Sequence, residues 1–203
     1  MTVYQPSDGI DTYLSGETNR GSDPLLQMPP TGRVLIKFDI SDISSSAICS
    51  SAVMSLYTAP SSVGSDTWTV YSVLVANSGW TESGATWSTN NGTNAWAGSD
   101  GCSTAGTDYN ATPIGSVAMN NSFAFENEFS LTPSTVQTWF GGSNTNYGML
   151  IRTDASLNSF YVVASETGDY PSLRPKLVVN YGISGVRHRR TFYGTRMGSR
   201  QGA

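Results

Sequence analysis

The sequence predicts an all-β fold: a sandwich or barrel of short antiparallel strands, with one short helix and a basic C-terminal arm. Three observations predict it. Apolar and polar residues alternate over many short segments, and Gly, Pro, Asn and Ser punctuate the gaps. Charged residues make up only 13% of the chain, with Ser, Thr, Asn and Gly in their place, where about a quarter is usual. Aromatic residues, at 11%, supply enough core material to exclude a disordered chain. A length of 203 residues suits one domain with a tail.

The elements follow in order. "RVLIKFDI" (Arg33–Ile40) begins as an apolar run and then alternates, as a half-buried strand does. "AVMSLYTA" (Ala52–Ala59) puts Val53, Ser55 and Tyr57 on one face and Met54, Leu56 and Thr58 on the other. "DTWTVYSVLV" (Asp66–Val75) is rich in β-branched and aromatic residues. Further strands are expected over Ile114–Met119, Ser122–Phe129, Gly148–Thr153, Ser159–Ser165 and Pro175–Tyr181. The helix is expected over Thr132–Phe140. Thr132 is its N-cap candidate, Pro133 its first residue, and Gly141 and Gly142 close it. Phe38, Leu56, Val70, Trp80, Trp87, Leu150 and Val178 are the expected core.

Charge is unevenly placed. Residues 1–183 hold 15 acidic and 6 basic side chains, a net of −9, whereas the last twenty hold five arginines and no acid. The domain is therefore expected to span 1–181, with an extended arm over 182–203. No stretch reaches 18 apolar residues, so no membrane partner is expected. The opening "MTVYQPSDGI" has neither a basic nor an apolar leader region, and no secretory signal is expected. Cys49 and Cys102 form no metal motif and are expected to be two reduced thiols. The sequons at Asn91, Asn110 and Asn120 carry little weight in a chain so rich in Asn, Ser and Thr.

The order of several segments resembles the DNRLRE domain family of carbohydrate-binding-module-like sandwiches. They are "DTYL" with "NRGSDPLLQM", then "GRVLIKFDIS", "GWTESGATW", "NYGMLIRTD" and "SLRPKLVVNY", spanning about residues 8–181. The resemblance implies a jelly-roll-like sandwich and a binding or display role without catalysis. It also implies that Trp80 and Trp87 clamp a long loop over the sandwich edge, where Glu82 accepts backbone hydrogen bonds. The basic arm is not part of the family's pattern.

The residues themselves argue against an enzyme. The single histidine, His188, lies among arginines in the arm, a poor place for a catalytic triad. Glu126 and Glu128 share a strand face and could form a carboxylate pair, but a solvated face accounts for them as well. One structural calcium is the candidate cofactor, at Asp8, Asp11, Asn19 and Asp23 in the Gly-interrupted segment "SDGIDTYLSGETNRGSD", where turns capped by Asp and Asn side chains are the alternative. Trp96, with Tyr109 beside it, is the expected exposed platform for a sugar ring or a protein.

Two functional readings follow. In the first, the chain is a virion component, a capsid decoration or fibre module of a bacterial virus, homo-oligomeric on the particle surface. Arg187, His188, Arg189, Arg190, Phe192, Tyr193, Arg196 and Arg200 then anchor it to capsid or neighbouring subunits. In the second, it is a free-standing or surface carbohydrate-binding module that grips polysaccharide outside cells. Nucleic acid is disfavoured, because the acidic body repels phosphates although "RHRRTFYGTR" mixes arginine with aromatics.

Overall fold

The computed structural model describes residues 1–5, 10–28, 32–64, 66–142, 145–153 and 160–183. Its strands are β1 (Thr2–Tyr4), β2 (Ile10–Leu14), β3 (Leu25–Met28), β4 (Arg33–Lys37), β5 (Ala47–Tyr57), β6 (Thr67–Ser72), β7 (Gly115–Ala118), β8 (Glu126–Leu131), β9 (Met149–Arg152), β10 (Phe160–Val163) and β11 (Lys176–Ile183). One α-helix, α1 (Pro133–Gln137), lies between β8 and β9. Every strand pair is antiparallel. One sheet runs β1-β11-β5-β8, the other β2-β4-β9-β6-β7, and β3 pairs separately with β10. This is the all-β sandwich that the alternation predicts.

The core lies between the two sheets. Ala52, Met54 and Leu56 of β5, Leu177 and Val179 of β11, and Phe129 and Leu131 of β8 face Val34 and Ile36 of β4, Trp68 and Val70 of β6, and Met149 and Ile151 of β9. Burying such side chains stabilises by about 1.5–3 kcal/mol each. The strand period of two sends the intervening residues outward. On the four-stranded sheet these include Val53 and Val178, which are paired in register and half-buried. Val178 is therefore a correction to the expected core. It is one residue out of phase with Leu177 and Val179, and its apolar side chain lies on the outer face.

The outer face of the five-stranded sheet is covered. Leu14, Leu35 and Leu150 point away from the sandwich and form a second core with Val73, Trp80, Ala85, Trp96, Cys102 and Tyr109. Those last six belong to the long connection between β6 and β7. The connection lacks regular strands and is held by polar contacts. Asp108, fully buried, accepts hydrogen bonds from Asn77 Nδ2 (2.9 Å) and from the amides of Gly98 (2.8 Å), Ser99 (3.2 Å) and Thr104 (2.8 Å). A buried carboxylate with four donors satisfies backbone groups that no strand partner reaches. Trp80 Nε1 donates to the Tyr147 carbonyl (2.6 Å), and Trp96 Nε1 to the Thr86 carbonyl (3.1 Å). Trp87, expected in the core, is only half-buried. Its ring packs against Gly101, where a Cβ would come within 2.6 Å of it. Gly101 also holds φ +72°, so two constraints require glycine there.

Four differences from the sequence reading have physical causes. β1, β2 and β3 are not expected from the sequence, because their burial depends on distant partners. β5 begins at Ala47, because Gln137 of α1 accepts from the Cys49 amide (2.6 Å) and donates to the Ala47 carbonyl, fixing a Ser-rich start. Residues 122–125, expected as strand, form a turn in which Ala124 takes φ +61°. α1 is shorter than expected, and Thr132 Oγ1 donates to the Ile114 carbonyl (3.2 Å) instead of capping it. Val136, Trp139 and Phe140 are buried, as the helical spacing requires. Cys49 and Cys102 are free, buried thiols.

Candidate functional site

Asp11 on β2, Glu82 in the long connection and Glu166 just after β10 converge. Each offers one carboxylate oxygen, and the three lie within 4.8 Å of one another. Asp11 is only 1% exposed. Its amide donates to Glu82 Oε1 (2.8 Å), its Oδ2 accepts from the Ser165 amide (3.0 Å), and Ser165 Oγ donates to Glu166 Oε1 (2.6 Å). Asp11 Oδ1 and Glu166 Oε2 are buried, and neither has a hydrogen-bond partner among the described residues. Burial, and then the Glu166 charge, push the Asp11 carboxyl well above the usual carboxylate range. Burial also raises the Glu82 carboxyl, against the lowering effect of the Asp11 amide.

Of the four residues expected to hold calcium, Asp11 stands in this cluster. Asn19 stands behind it: its Nδ2 donates to the carbonyls of Glu82 (2.6 Å) and Ala85 (3.0 Å) and so fixes the Glu82 backbone. Asp23 lies elsewhere, accepting from Tyr13 Oη (3.0 Å) and facing Arg20 (3.5 Å). Asp8 is outside the described residues. Glu82 was legible as a conspicuous acid in "GWTE", although its donor is the β2 backbone and not its own loop. Glu166 carried no sequence signal as a partner.

The expected platform is a correction. Trp96 is 4% exposed and Tyr109 3%. Trp96 is consumed by the second core, and Tyr109 packs edge-on against Tyr71 (4.9 Å between centroids) and accepts from Arg152 (2.6 Å). Neither ring has a face left for a ligand.

Exposed aromatic surface gathers elsewhere, at the turn before β8. Phe123 is 52% exposed and Phe125 45%. Phe123 meets Tyr170 edge-on at 5.4 Å, and Tyr170 packs against Tyr57, Ala59 and Val163. A buried polar network fixes the turn: Asn127 Nδ2 donates to Thr58 Oγ1 (2.9 Å), Thr58 Oγ1 donates to the Asn120 carbonyl (2.5 Å), and the Asn120 amide donates to Asn127 Oδ1 (2.8 Å). Beside it, Lys176 Nζ bonds Glu126 (2.6 Å) and Tyr57 Oη (2.9 Å). These hydrogen bonds hold the Glu126 carboxyl below its usual value although burial raises it.

The sequence profile of carbohydrate-binding module family 96 matches residues 4–109, just over half of the chain. The chain belongs to this family. No curated protein matches it. In this family 96 module the matched span holds Asp11, Glu82 and the three loop tryptophans, whereas Phe123, Phe125, Glu166 and Tyr170 lie beyond it. The module also has a shallow groove of about 350 Å³ beside α1, lined by hydroxyl side chains with Trp139 and Tyr147. Trp139 is buried, so the groove offers little aromatic face. The anchor residues Arg187, His188, Arg189, Arg190, Phe192, Tyr193, Arg196 and Arg200 lie outside the described residues.

Proposed function

We propose that the chain is a non-catalytic module that holds a neutral polysaccharide against Phe123, Phe125 and Tyr170. Family membership is the observation that carries carbohydrate binding. It favours the second of the two readings drawn from the sequence over the virion one. The site follows from exposure: these rings present apolar faces to solvent on a turn held by buried hydrogen bonds. A pyranose has apolar C–H faces that such rings can cover, while its hydroxyls reach nearby polar groups such as Lys176 and Glu126. The net charge of −9 over residues 1–183 disfavours polyanionic glycans. On this reading the module acts where structural polysaccharide is met, at a cell surface or in the extracellular space.

Retention of the protein in native gels cast with neutral or uronate polysaccharides tests the reading. The intact module should be slowed by at least one neutral polysaccharide. Phe123→Ala with Phe125→Ala should weaken that retention about tenfold or more, a loss of about 1.4 kcal/mol, with little change in melting. Equal retention of the double variant would remove the patch. If Tyr147→Ala alone abolished retention, the site would move to the groove beside α1.

A further inference from the structure

We propose that Asp11, Glu82 and Glu166 form a binding site for one divalent cation of the calcium class, which ties β2, the tryptophan-bearing connection and the turn after β10 together. Three carboxylates converge within 4.8 Å, and neither the Arg20–Asp23 nor the Lys176–Glu126 ion pair reaches them. The second observation is independent of the clustering. Asp11 is 99% buried, yet its Oδ1 has no hydrogen-bond partner among the described residues. A buried carboxyl oxygen without a donor is costly to ionise, and a cation held among the three carboxyls would remove that cost.

The donor set narrows the ion. Every donor is a carboxylate oxygen, which suits hard cations and not zinc or copper. Calcium binds oxygen at about 2.3–2.6 Å, so oxygens on opposite sides of one ion lie about 5 Å apart. Three oxygens within 4.8 Å of one another can share one such ion, and water or backbone carbonyls can complete the shell. Magnesium, at about 2.0–2.1 Å, demands a tighter octahedron. Gly21 keeps the cradle open from behind, since a Cβ there would meet the Glu82 carbonyl at 2.4 Å and Glu82 Cγ at 2.5 Å.

The test uses the full chain, stripped with a chelator and titrated with calcium chloride alone. Calorimetry should find one calcium per chain, and saturating calcium should raise the melting temperature by about 5–10 °C. Glu166→Gln, at a half-exposed position that keeps the fold, should abolish both effects, as should Asp11→Asn if that variant folds. Glu128→Gln, on the outer face of β8, should leave both unchanged. A stripped chain that binds no calcium at millimolar concentration would overturn the proposal. So would an unchanged melt, or a Glu166→Gln variant that responds to calcium as the parent does. An equal response to magnesium would overturn the assignment to the larger ion.

Discussion

Two tryptophans that look alike in "GWTESGATW" have different energetic roles. Trp80 is buried with its indole nitrogen bonded, so Trp80→Ala should cost about 3–5 kcal/mol in denaturant unfolding. Trp87 is half-buried against Gly101, so Trp87→Ala should cost clearly less, about 1–2 kcal/mol. Equal losses would show that exposure is the wrong guide here. Asp108 carries a load comparable to that of Trp80. Removing its carboxylate orphans three backbone amides and the Asn77 amide, and each buried unsatisfied donor costs about 1–3 kcal/mol. Asp108→Ala should therefore destabilise by about 3 kcal/mol or more and shift tryptophan emission to the red as the connection loosens. What the sequence made legible at this scale was which residues are apolar. It did not show which face an apolar residue occupies, as Val178 and Trp96 illustrate. Alternation cannot tell a sheet face covered by a loop from one that meets water.

The strands were legible where apolar or β-branched residues dominate a short run, as in β4, β6 and β9. They were not where a distant partner supplies the burial. β2 reads as a calcium loop because Asp11 and Thr12 are polar, yet pairing with β4 and the cover of Glu82 and Ser165 bury both. The turn at residues 122–125 deceived in the opposite direction. Phe123 and Phe125 alternate with small residues as strand residues do, but they stand in solvent. Between β8, β5 and β11 the Glu126–Tyr57–Lys176 contact makes a pH prediction. The Glu126 carboxyl is held below its ordinary 4.5, so its stabilisation is present above that value and is lost as pH falls through the lowered one. Lys176 is raised above its ordinary 10.5 by Glu126 and Tyr57, so its share is lost only in stronger base. The pair is partly exposed, and its worth is about 1 kcal/mol or less. Glu126→Gln should lower stability by that amount in the neutral region and leave the most acidic region nearly unchanged, so that the limb below about pH 4.5 flattens, as read by urea midpoints.

The described residues hold two large cores, one between the sheets and one beneath the connection from β6 to β7, and a small third cluster of Tyr57, Ala59 and Val163. The composition predicted the first. The second was foreshadowed only by tryptophans in a polar stretch, whose packing partners Leu14, Leu35 and Leu150 belong to strands far away in sequence. β11 runs to Ile183, two residues past the boundary expected from the sequence. A chain ended after Ile183 should melt within a few degrees of the full chain and keep its retention by polysaccharide. Loss of retention with an intact melt would assign the binding to the arm.

The first and last strands lie side by side, with Thr2 opposite Val179 and Tyr4 opposite Leu177. Tension applied to the two ends would enter and leave the molecule at one edge. In that geometry the backbone hydrogen bonds between β1 and β11 are loaded one after another, as in opening a zip, and never all together in shear. Pulled between its ends, the module would yield first at this short strand and at low force. Pulled between its amino end and a glycan held at the Phe123 turn, it would carry the load through the sandwich and yield at a higher one.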